Sequence, residues 1–248
     1  MPILTSRTPF TIQNPYRQSR PATSKIIFLS FEGSVTEEEY FDMVKKLFTE
    51  ISTKITFISV AEDAVHTRPK YRTKEQELSL SKNRPKQLVE KIDIFKAEKK
   101  DIFEFEKYPE DEFWIVTDVD NNLSSDWIDE WNEALDLCEQ KGYSYAISNP
   151  FFEIWLLLHH DNASSQDKVW AVTDNHDYEP TNHFRERLRA LKVPLKDKKH
   201  ISENHYNRQN IQDAIKRAAA LHIQDGERYP KYFATTVYLL LQKIIEML

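Results

Sequence analysis

Short apolar runs along the chain alternate with longer segments in which apolar residues recur at helical spacing. Two runs, KIIFLSFEG at 25–33 and EFWIVTDVD at 112–120, have the length and composition of buried strands. The runs KITFISVA at 54–61 and YSYAIS at 143–148 predict two further strands. Because helical segments separate the strands, the pattern predicts an α/β fold with a mainly parallel sheet and helices on both faces.

The same pattern divides the chain into three parts. Residues 1–24 are rich in Pro, Ser, Thr and Asn and have no hydrophobic period, which predicts an N-terminal arm. Residues 25–160 contain the four predicted strands and form the predicted sheet domain. Residues 161–248 show no further strand, so we expect a helical C-terminal segment packed on that domain. Its predicted helices lie around 181–191, 207–222 and 232–248.

Polar residues indicate where two of the helices begin. Ser34 and Thr36 are candidate N-caps of the helix after the first strand, and each is followed three residues later by a glutamate that can complete a capping box. Asn149-Pro150 predicts the start of the helix FFEIWLLLHH through an N-cap and a first-turn proline. Both helices therefore carry a glutamate close to the end of the preceding strand.

Composition excludes several classes of function. The single cysteine, Cys138, rules out internal disulfides and zinc sites built on cysteine pairs, and its helical surroundings predict a buried thiol. With only three glycines, the chain contains neither a dinucleotide-binding G-x-G-x-x-G nor a P-loop. The net charge of −6 argues against non-specific coating of nucleic acid, although an acidic metal site is compatible with it. No apolar run is long enough for a membrane span or a secretory signal, so we expect a cytoplasmic protein.

Four acids collect where the predicted strands end. Glu32 ends the first strand, Asp118 and Asp120 end a later one, and Glu37 lies in the first turn of a helix. The carboxyl ends of parallel strands meet at one sheet edge, and the period of two puts Asp118 and Asp120 on one face while Val119 points into the other. Converging carboxylates repel unless a cation is bound, and oxygen ligands favour Mg²⁺ or Mn²⁺. The sequence therefore predicts a metal site for phosphodiester hydrolysis, with these four acids as ligands and catalytic residues.

Other interpretations of the polar residues stay open. An acid after a strand often caps the next helix, and Glu37 can complement the helix dipole or close a capping box. Glu153, in a helix that is apolar nearly all round, is a further candidate metal ligand or a carboxylate paired with backbone amides or an arginine. His159 either favours the dipole at the end of that helix or transfers protons.

Two basic clusters are candidate contacts for phosphates. Arg68, Lys70 and Arg72 interleave with an aromatic residue in a polar loop and predict binding to a nucleic-acid backbone. In the second cluster, Lys198 is a predicted substrate contact and Lys199 a predicted catalytic lysine that stabilises transition-state charge. Such charge runs are also typical of a solvated surface.

Three motifs together resemble the RloB-like family. They are E-G-x-x-T-E-x-x-Y-F at 32–41, W-x-V-x-D-V-D at 114–120 and S-N-P-F-F-E-I-W-L-L-L-H at 148–159. The first two also resemble the Toprim pattern of topoisomerases, primases and OLD-type nucleases, in which a glutamate follows the first strand and a D-x-D follows a later one. RloB-like proteins are bacterial Toprim-type proteins often found beside ATPases and restriction or anti-phage defence genes. The resemblance implies a Toprim fold and divalent-metal nuclease chemistry.

Two functions follow from these observations. The first is a metal-dependent endonuclease that hydrolyses DNA or RNA, with tRNA among the candidates, as the effector of an ATPase-linked anti-phage system that acts by abortive infection. The second is a non-catalytic Toprim-like partner or regulatory subunit of an ATPase. A D-x-D phosphatase is disfavoured because its aspartate pair is expected after the first strand. We expect a nucleic-acid substrate, an ATPase partner and no membrane, and the sequence leaves a homodimer open.

Overall fold

The computed structural model describes most of the chain, in seven stretches. They are residues 25–33, 35–58, 84–119, 125–172, 181–197, 199–221 and 227–248. Several predicted features lie outside the described residues. They are the N-terminal arm, Ser34, Arg68, Lys70, Arg72, Asp120 and Lys198.

A five-stranded sheet forms the centre of the described part. The strands are β1 (Ile27–Phe31), β2 (Ile55–Phe57), β3 (Glu112–Asp118), β4 (Ser144–Asn149) and β5 (Ala234–Thr235). Their order across the sheet is β2-β1-β3-β4-β5. The first four strands pair in parallel, and β5 pairs antiparallel to β4. The predicted α/β fold with a mainly parallel sheet is confirmed.

Eight α-helices pack around this sheet within the described residues. They are α1 (Thr36–Leu47), α2 (Pro85–Phe103), α3 (Ser125–Lys141), α4 (Glu153–Leu158), α5 (Ser165–Val172), α6 (Thr181–Ala190), α7 (Arg208–Ala219) and α8 (Val237–Ile245). None of these helices combines the length and the apolar character that a membrane crossing requires.

Alternate residues of the central strands point to opposite faces of the sheet. Phe113 and Ile115 of β3 join a core cluster with residues of α2 and α3. Trp114 and Val116 join a larger cluster with α1, α4 and the C-terminal helices. Because a strand has a side-chain period of two, β3 is buried on both sides, as its near-continuous apolar run predicts.

The strand β5 was not predicted, and the expectation of no strand beyond residue 160 is wrong. Thr235 lies opposite Ser148 of β4, and the two hydroxyl oxygens are 3.0 Å apart. A two-residue strand has no hydrophobic period of its own. Its extended conformation depends on the edge of β4, which the local sequence does not encode.

The predicted start of α4 is also wrong. Asn149 is the last residue of β4, where it pairs with Ala234, and the helix begins only at Glu153. The Asn149 side chain donates to the carbonyl of Pro230 at 2.8 Å. The pairing with β5 keeps Asn149 extended, so its amide binds the C-terminal segment instead of capping a helix.

Thr36 is not the N-cap of α1. The cap position is Val35, which makes no side-chain capping bond, and the Thr36 hydroxyl donates to the carbonyl of Lys199 at 2.7 Å. The capping interpretation was wrong at Thr36 because a distant segment of the chain supplies the acceptor for its hydroxyl.

The single cysteine has the predicted structural role. Cys138 is fully buried on α3. Burial raises the pKa of its thiol to about 12, so the group stays protonated and unreactive at neutral pH.

Candidate active site

Strand register brings the predicted acids to one edge of the sheet. Phe31 of β1 lies opposite Val116 of β3, and Asp118 lies opposite Ser148 of β4. The three parallel strands therefore end at nearly the same level. Glu32, the residue after β1, lies beside the end of β3, as expected for the carboxyl edge of a parallel sheet. We call this edge, with Glu32 and Asp118, the acidic rim.

The Glu32 carboxylate reaches across the ends of the two central strands. Its own N–H donates to the carbonyl of Val116 at 2.9 Å, which extends the β1–β3 ladder by one residue. Its Oε2 accepts a hydrogen bond from the N–H of Asp118 at 2.9 Å and another from the Thr117 hydroxyl. The strand that carries Asp118 thus fixes the orientation of Glu32.

Asp118 links the end of β3 to the start of α4. Its Oδ2 accepts a hydrogen bond from the N–H of Phe152 at 3.1 Å. The next residue, Val119, is buried with Trp131 and Ile147 on the α3 side. The prediction that Val119 points into the opposite face is therefore confirmed. Asp120 lies outside the described residues, so its place beside Asp118 stays a prediction.

Glu37 lies in the first turn of α1 and folds back towards the rim. Its side chain is buried, and its carboxylate packs directly on the Cα of Gly33. A side-chain carbon at position 33 would overlap the carboxylate oxygens, so a larger residue there would displace the Glu37 carboxylate. This packing joins Glu37 to the residue that follows Glu32. It is compatible with a metal-ligand role and with a dipole role.

Glu153 makes a contact that the sequence left as one of two alternatives. Its Oε1 lies 3.2 Å from both Nε and Nη2 of Arg185 on α6. Glu153 is buried and follows Phe152, whose N–H binds Asp118, so Arg185 brings a positive charge close to the rim. Sequence reasoning missed Arg185, because no spacing pattern connects it to the strand ends. A metal-ligand role for Glu153 stays a prediction.

His159 is a neutral buried residue. Its Nδ1 lies 2.8 Å from the carbonyl of Trp155, which can only accept, so Nδ1 carries the hydrogen. Its Nε2 therefore accepts a hydrogen bond from the hydroxyl of Tyr40 at 3.0 Å. Burial lowers the pKa of His159 to about 3. The ring therefore contacts the C-terminal end of the helix through a hydrogen bond to a carbonyl and without a charge, and a proton-transfer role stays a prediction.

Lys199 lies at the N-terminal end of α1. Its carbonyl accepts the hydrogen bond from Thr36, the residue before Glu37, and its side chain is exposed. The structure thus brings the predicted catalytic lysine to the same helix turn as one of the predicted acids. Its role in chemistry stays a prediction.

The rim offers the type of ligand atom that a divalent metal prefers, but the described residues alone do not form a complete set of ligands. Within the described stretches, no group of three or more His, Cys, Asp or Glu side chains is arranged to hold a metal ion. Glu32 and Asp118 supply two oxygen donors at one edge. Oxygen donors suit Mg²⁺ or Mn²⁺, so the predicted site depends on Asp120 as its next ligand.

The fold and the rim define an α/β protein whose acids collect at the carboxyl edge of a mainly parallel sheet. A comparison with protein families matches the RloB-like protein family over residues 27–244. The chain therefore belongs to the RloB-like family, and the predicted resemblance is confirmed. Comparisons with curated proteins and with solved structures gave no match.

Proposed function

We propose that this RloB-like protein is a divalent-metal-dependent endonuclease of the Toprim type. Its substrate is the phosphodiester backbone of DNA or RNA, with tRNA among the candidates. Its biological role in this proposal is that of an effector in an ATPase-linked anti-phage defence system, as family membership suggests. ATP hydrolysis would be the task of the partner, since the chain has no glycine-rich nucleotide-binding loop of its own.

One observation carries the proposal: the Glu32 carboxylate lies against the backbone of Asp118. The 2.9 Å hydrogen bond from Asp118 to Glu32 joins the ends of two neighbouring parallel strands. The carboxyl edge of a parallel sheet is where α/β proteins collect their functional groups. Two acids from motifs far apart in sequence meet at this edge, which favours a shared ligand.

The residues of the rim have distinct roles in this mechanism. Glu32 and Asp118 would hold the metal, together with Asp120, Glu37 and Glu153 as further candidate ligands. Main-chain donors orient Glu32 and Asp118 before any ligand binds, so little reorganisation is needed in the transition state.

Positive charges near the rim have the complementary role. Arg185 and Lys199 would neutralise charge that develops on the phosphate, and Arg68, Lys70, Arg72 and Lys198 are predicted to bind the substrate backbone. A bound Mg²⁺ or Mn²⁺ would polarise the phosphodiester and lower the pKa of the attacking water.

Cleavage assays test the proposal directly. Wild-type protein and Asp118→Asn are incubated with supercoiled plasmid, single-stranded DNA and tRNA, each with Mg²⁺, Mn²⁺ or a chelator. We expect metal-dependent cleavage of at least one substrate by the wild type. Asp118→Asn should be slower by about a thousandfold, since it loses a charged oxygen that would hold the metal.

The assay includes the proposed ATPase partner as a separate arm, because the alternative function is a non-catalytic subunit. Equal cleavage by wild type and Asp118→Asn would show that the activity does not come from this site. An absence of cleavage on every substrate, with and without the ATPase, would favour the regulatory subunit instead.

A further inference from the structure

A segment that follows α6 and ends at the first residue of α7 runs along the polar side of α1. We call residues 199–208 the strap. At its start, the carbonyl of Lys199 accepts the Thr36 hydroxyl. At its end, Arg208 donates to the carbonyl of Leu47 at 2.8 Å and to the carboxylate of Glu50. The strap thus follows α1 from its first turn to just beyond its last.

Glu39 uses both carboxylate oxygens to hold the start of the strap. Its Oε1 lies 2.6 Å from Nδ1 of His200, and its Oε2 accepts from the N–H of Ile201 at 3.0 Å. Glu39 was predicted only as a possible partner in a capping box with Thr36. Instead, the two residues bind consecutive positions of the strap from the first turn of α1.

The residue before His200 belongs to a closed turn. The N–H of Lys196 donates to the carbonyl of His200, and the N–H of His200 donates to the carbonyl of Lys196, each at 2.8 Å. Asp197 adopts the left-handed conformation with φ of 49°, and the N–H of Lys199 also binds Lys196. Because main-chain bonds join Lys196 to both Lys199 and His200, an anchor at His200 also constrains the main-chain position of Lys199, from which its exposed side chain extends.

We propose that Glu39 is a positioning residue that holds Lys199 against a phosphate of the substrate at the acidic rim. Both carboxylate oxygens of Glu39 are bound to His200 and Ile201, so Glu39 itself would not touch the substrate. It acts through His200 and the closed turn. The inference rests on the proposed function for the class of ligand, a nucleic-acid backbone, but its binding test needs no cleavage.

The direction of the change in affinity for a polyanion tests this proposal, because the loss of a negative charge and the loss of a positioning residue have opposite effects. Replacing Glu39 by alanine removes a negative charge, which by itself should strengthen binding to a polyanion. A positioning role predicts the opposite, because Lys199 would lose its place at the phosphate. Glu203 is a matched control, since it pairs with Lys46 between the same strap and the same helix but away from the rim.

The probe is a fluorescein-labelled single-stranded oligonucleotide, prepared as DNA and as RNA, with Ca²⁺ in place of Mg²⁺. Fluorescence anisotropy gives the dissociation constant over a range of salt concentrations. We expect Lys199→Ala and Glu39→Ala each to weaken binding several-fold and to reduce the salt slope by about 0.7, the value for one lost contact with a single strand. Glu203→Ala should bind as well as the wild type or slightly better.

Double substitution and rescue complete the test. If Glu39 acts through Lys199, Glu39→Ala should cause no further weakening in a Lys199→Ala background, where only the slight strengthening from the lost negative charge is left. Glu39→Gln retains an acceptor oxygen and should bind better than Glu39→Ala. Thr36→Val, which removes the second anchor of the turn, should weaken binding in the same direction as Glu39→Ala.

Two results would overturn the inference. One is equal affinity and salt slope in Glu39→Ala and Glu203→Ala, and the other is full additivity of Glu39→Ala with Lys199→Ala. Cleavage by the wild type in Mn²⁺ is measured separately. The expected binding pattern without any cleavage would support the role of Glu39 while refuting the nuclease.

Discussion

Two regions of the molecule hold acidic side chains in different ways. At the acidic rim, Glu32 and Asp118 accept hydrogen bonds from main-chain N–H groups at 2.9 and 3.1 Å. Between α5 and α6, Asp167 is fully buried and lies among charged side chains. We call this second group the arginine cluster. It consists of Asp161, Ser164, Asp167, His183 and Arg187.

The arginine cluster contains positively and negatively charged side chains. Arg187 donates to Asp167 through one guanidinium nitrogen and to Asp161 at 2.7 Å through the other. Nε2 of His183 lies 2.8 Å from the second oxygen of Asp167. Burial alone would raise the pKa of Asp167, but its bonds with Arg187, Ser164 and His183 outweigh burial and lower it.

The acids of the two regions have different roles. Those of the arginine cluster connect two helices, whereas those of the rim are oriented by the main chain around them. Asp167 and Arg187 join α5 to α6, and each stabilises the charge of the other. The rim acids accept hydrogen bonds from main-chain N–H groups at the end of β3 and the start of α4, which would be present without them. We therefore expect changes in the arginine cluster to affect stability, and changes at the rim to affect ligand binding and activity.

The largest expected effect on stability is the loss of Arg187. Arg187→Met leaves the buried Asp167 without its guanidinium and should lower the free energy of unfolding by about 3 kcal/mol. Urea denaturation measures this loss. Arg189→Met, on the same helix but exposed, is the control and should change stability by less than about 0.5 kcal/mol. A small effect of Arg187→Met would remove the distinction between the two regions.

Acid titration adds a third region to the comparison, the end of α4, because both His159 and His160 should lower the stability between pH 7 and pH 5. The pKa of His159 is about 3 in the folded protein and about 6.5 when unfolded, so protonation favours the unfolded chain. Its stabilising contribution is complete above pH 6.5 and falls as the pH decreases towards 3. At pH 5 the loss should be about 2 kcal/mol.

Urea denaturation at several pH values tests this assignment. His159→Gln has no titrating ring and should show a flatter pH dependence than the wild type. Burial also lowers the pKa of His160, to about 4, so part of the dependence should persist in the variant. An unchanged dependence in His159→Gln would show that acids or other histidines control it.

Metal binding should stabilise the protein through the rim and not through the arginine cluster. At a Mn²⁺ concentration ten times the dissociation constant, mass action adds about 1.4 kcal/mol to the free energy of unfolding. For a protein of this size the melting temperature should rise by about 3 to 5 °C. Calorimetry measures the shift, and Asp118→Asn should abolish it whereas Arg189→Met should retain it. A shift of equal size in Asp118→Asn would place the metal elsewhere.

The smallest expected effect is that of Asp118→Asn on the stability of the metal-free protein. The amide oxygen of asparagine can still accept the N–H of Phe152, and one negative charge leaves an acidic edge. The free energy of unfolding should change by less than about 0.5 kcal/mol. Urea denaturation in a chelator checks this value. A loss as large as that of Arg187→Met would make Asp118 a structural acid and contradict the comparison.

Much of the rim could be predicted because its geometry follows from strand direction. The apolar runs ending at Glu32 and Asp118 predicted two parallel strands, and parallel strands align their carboxyl ends. The side-chain period of two then placed Val119 correctly on the opposite face. The hydrophobic pattern of a strand was therefore sufficient to predict the sheet edge and the face on which a residue lies.

The contacts of single polar side chains could not be predicted in the same way. Glu153 binds Arg185, which lies 32 residues later, and Glu39 binds His200, which lies 161 residues later. A polar side chain satisfies its hydrogen bonds with any suitable partner in reach. The identity of that partner depends on packing, which the periodicity of the sequence does not contain.

The sequence by itself determined the α/β class, the two acidic strand ends and the absence of a glycine-rich phosphate loop. These features follow from apolar periodicity and composition, which act over a few residues. Only the tertiary structure decided that Asn149 continues β4, that Thr36 and Glu39 anchor the strap, and that β5 closes the sheet. Each of these depends on a hydrogen-bond partner more than 80 residues away, which only the folded chain brings within reach.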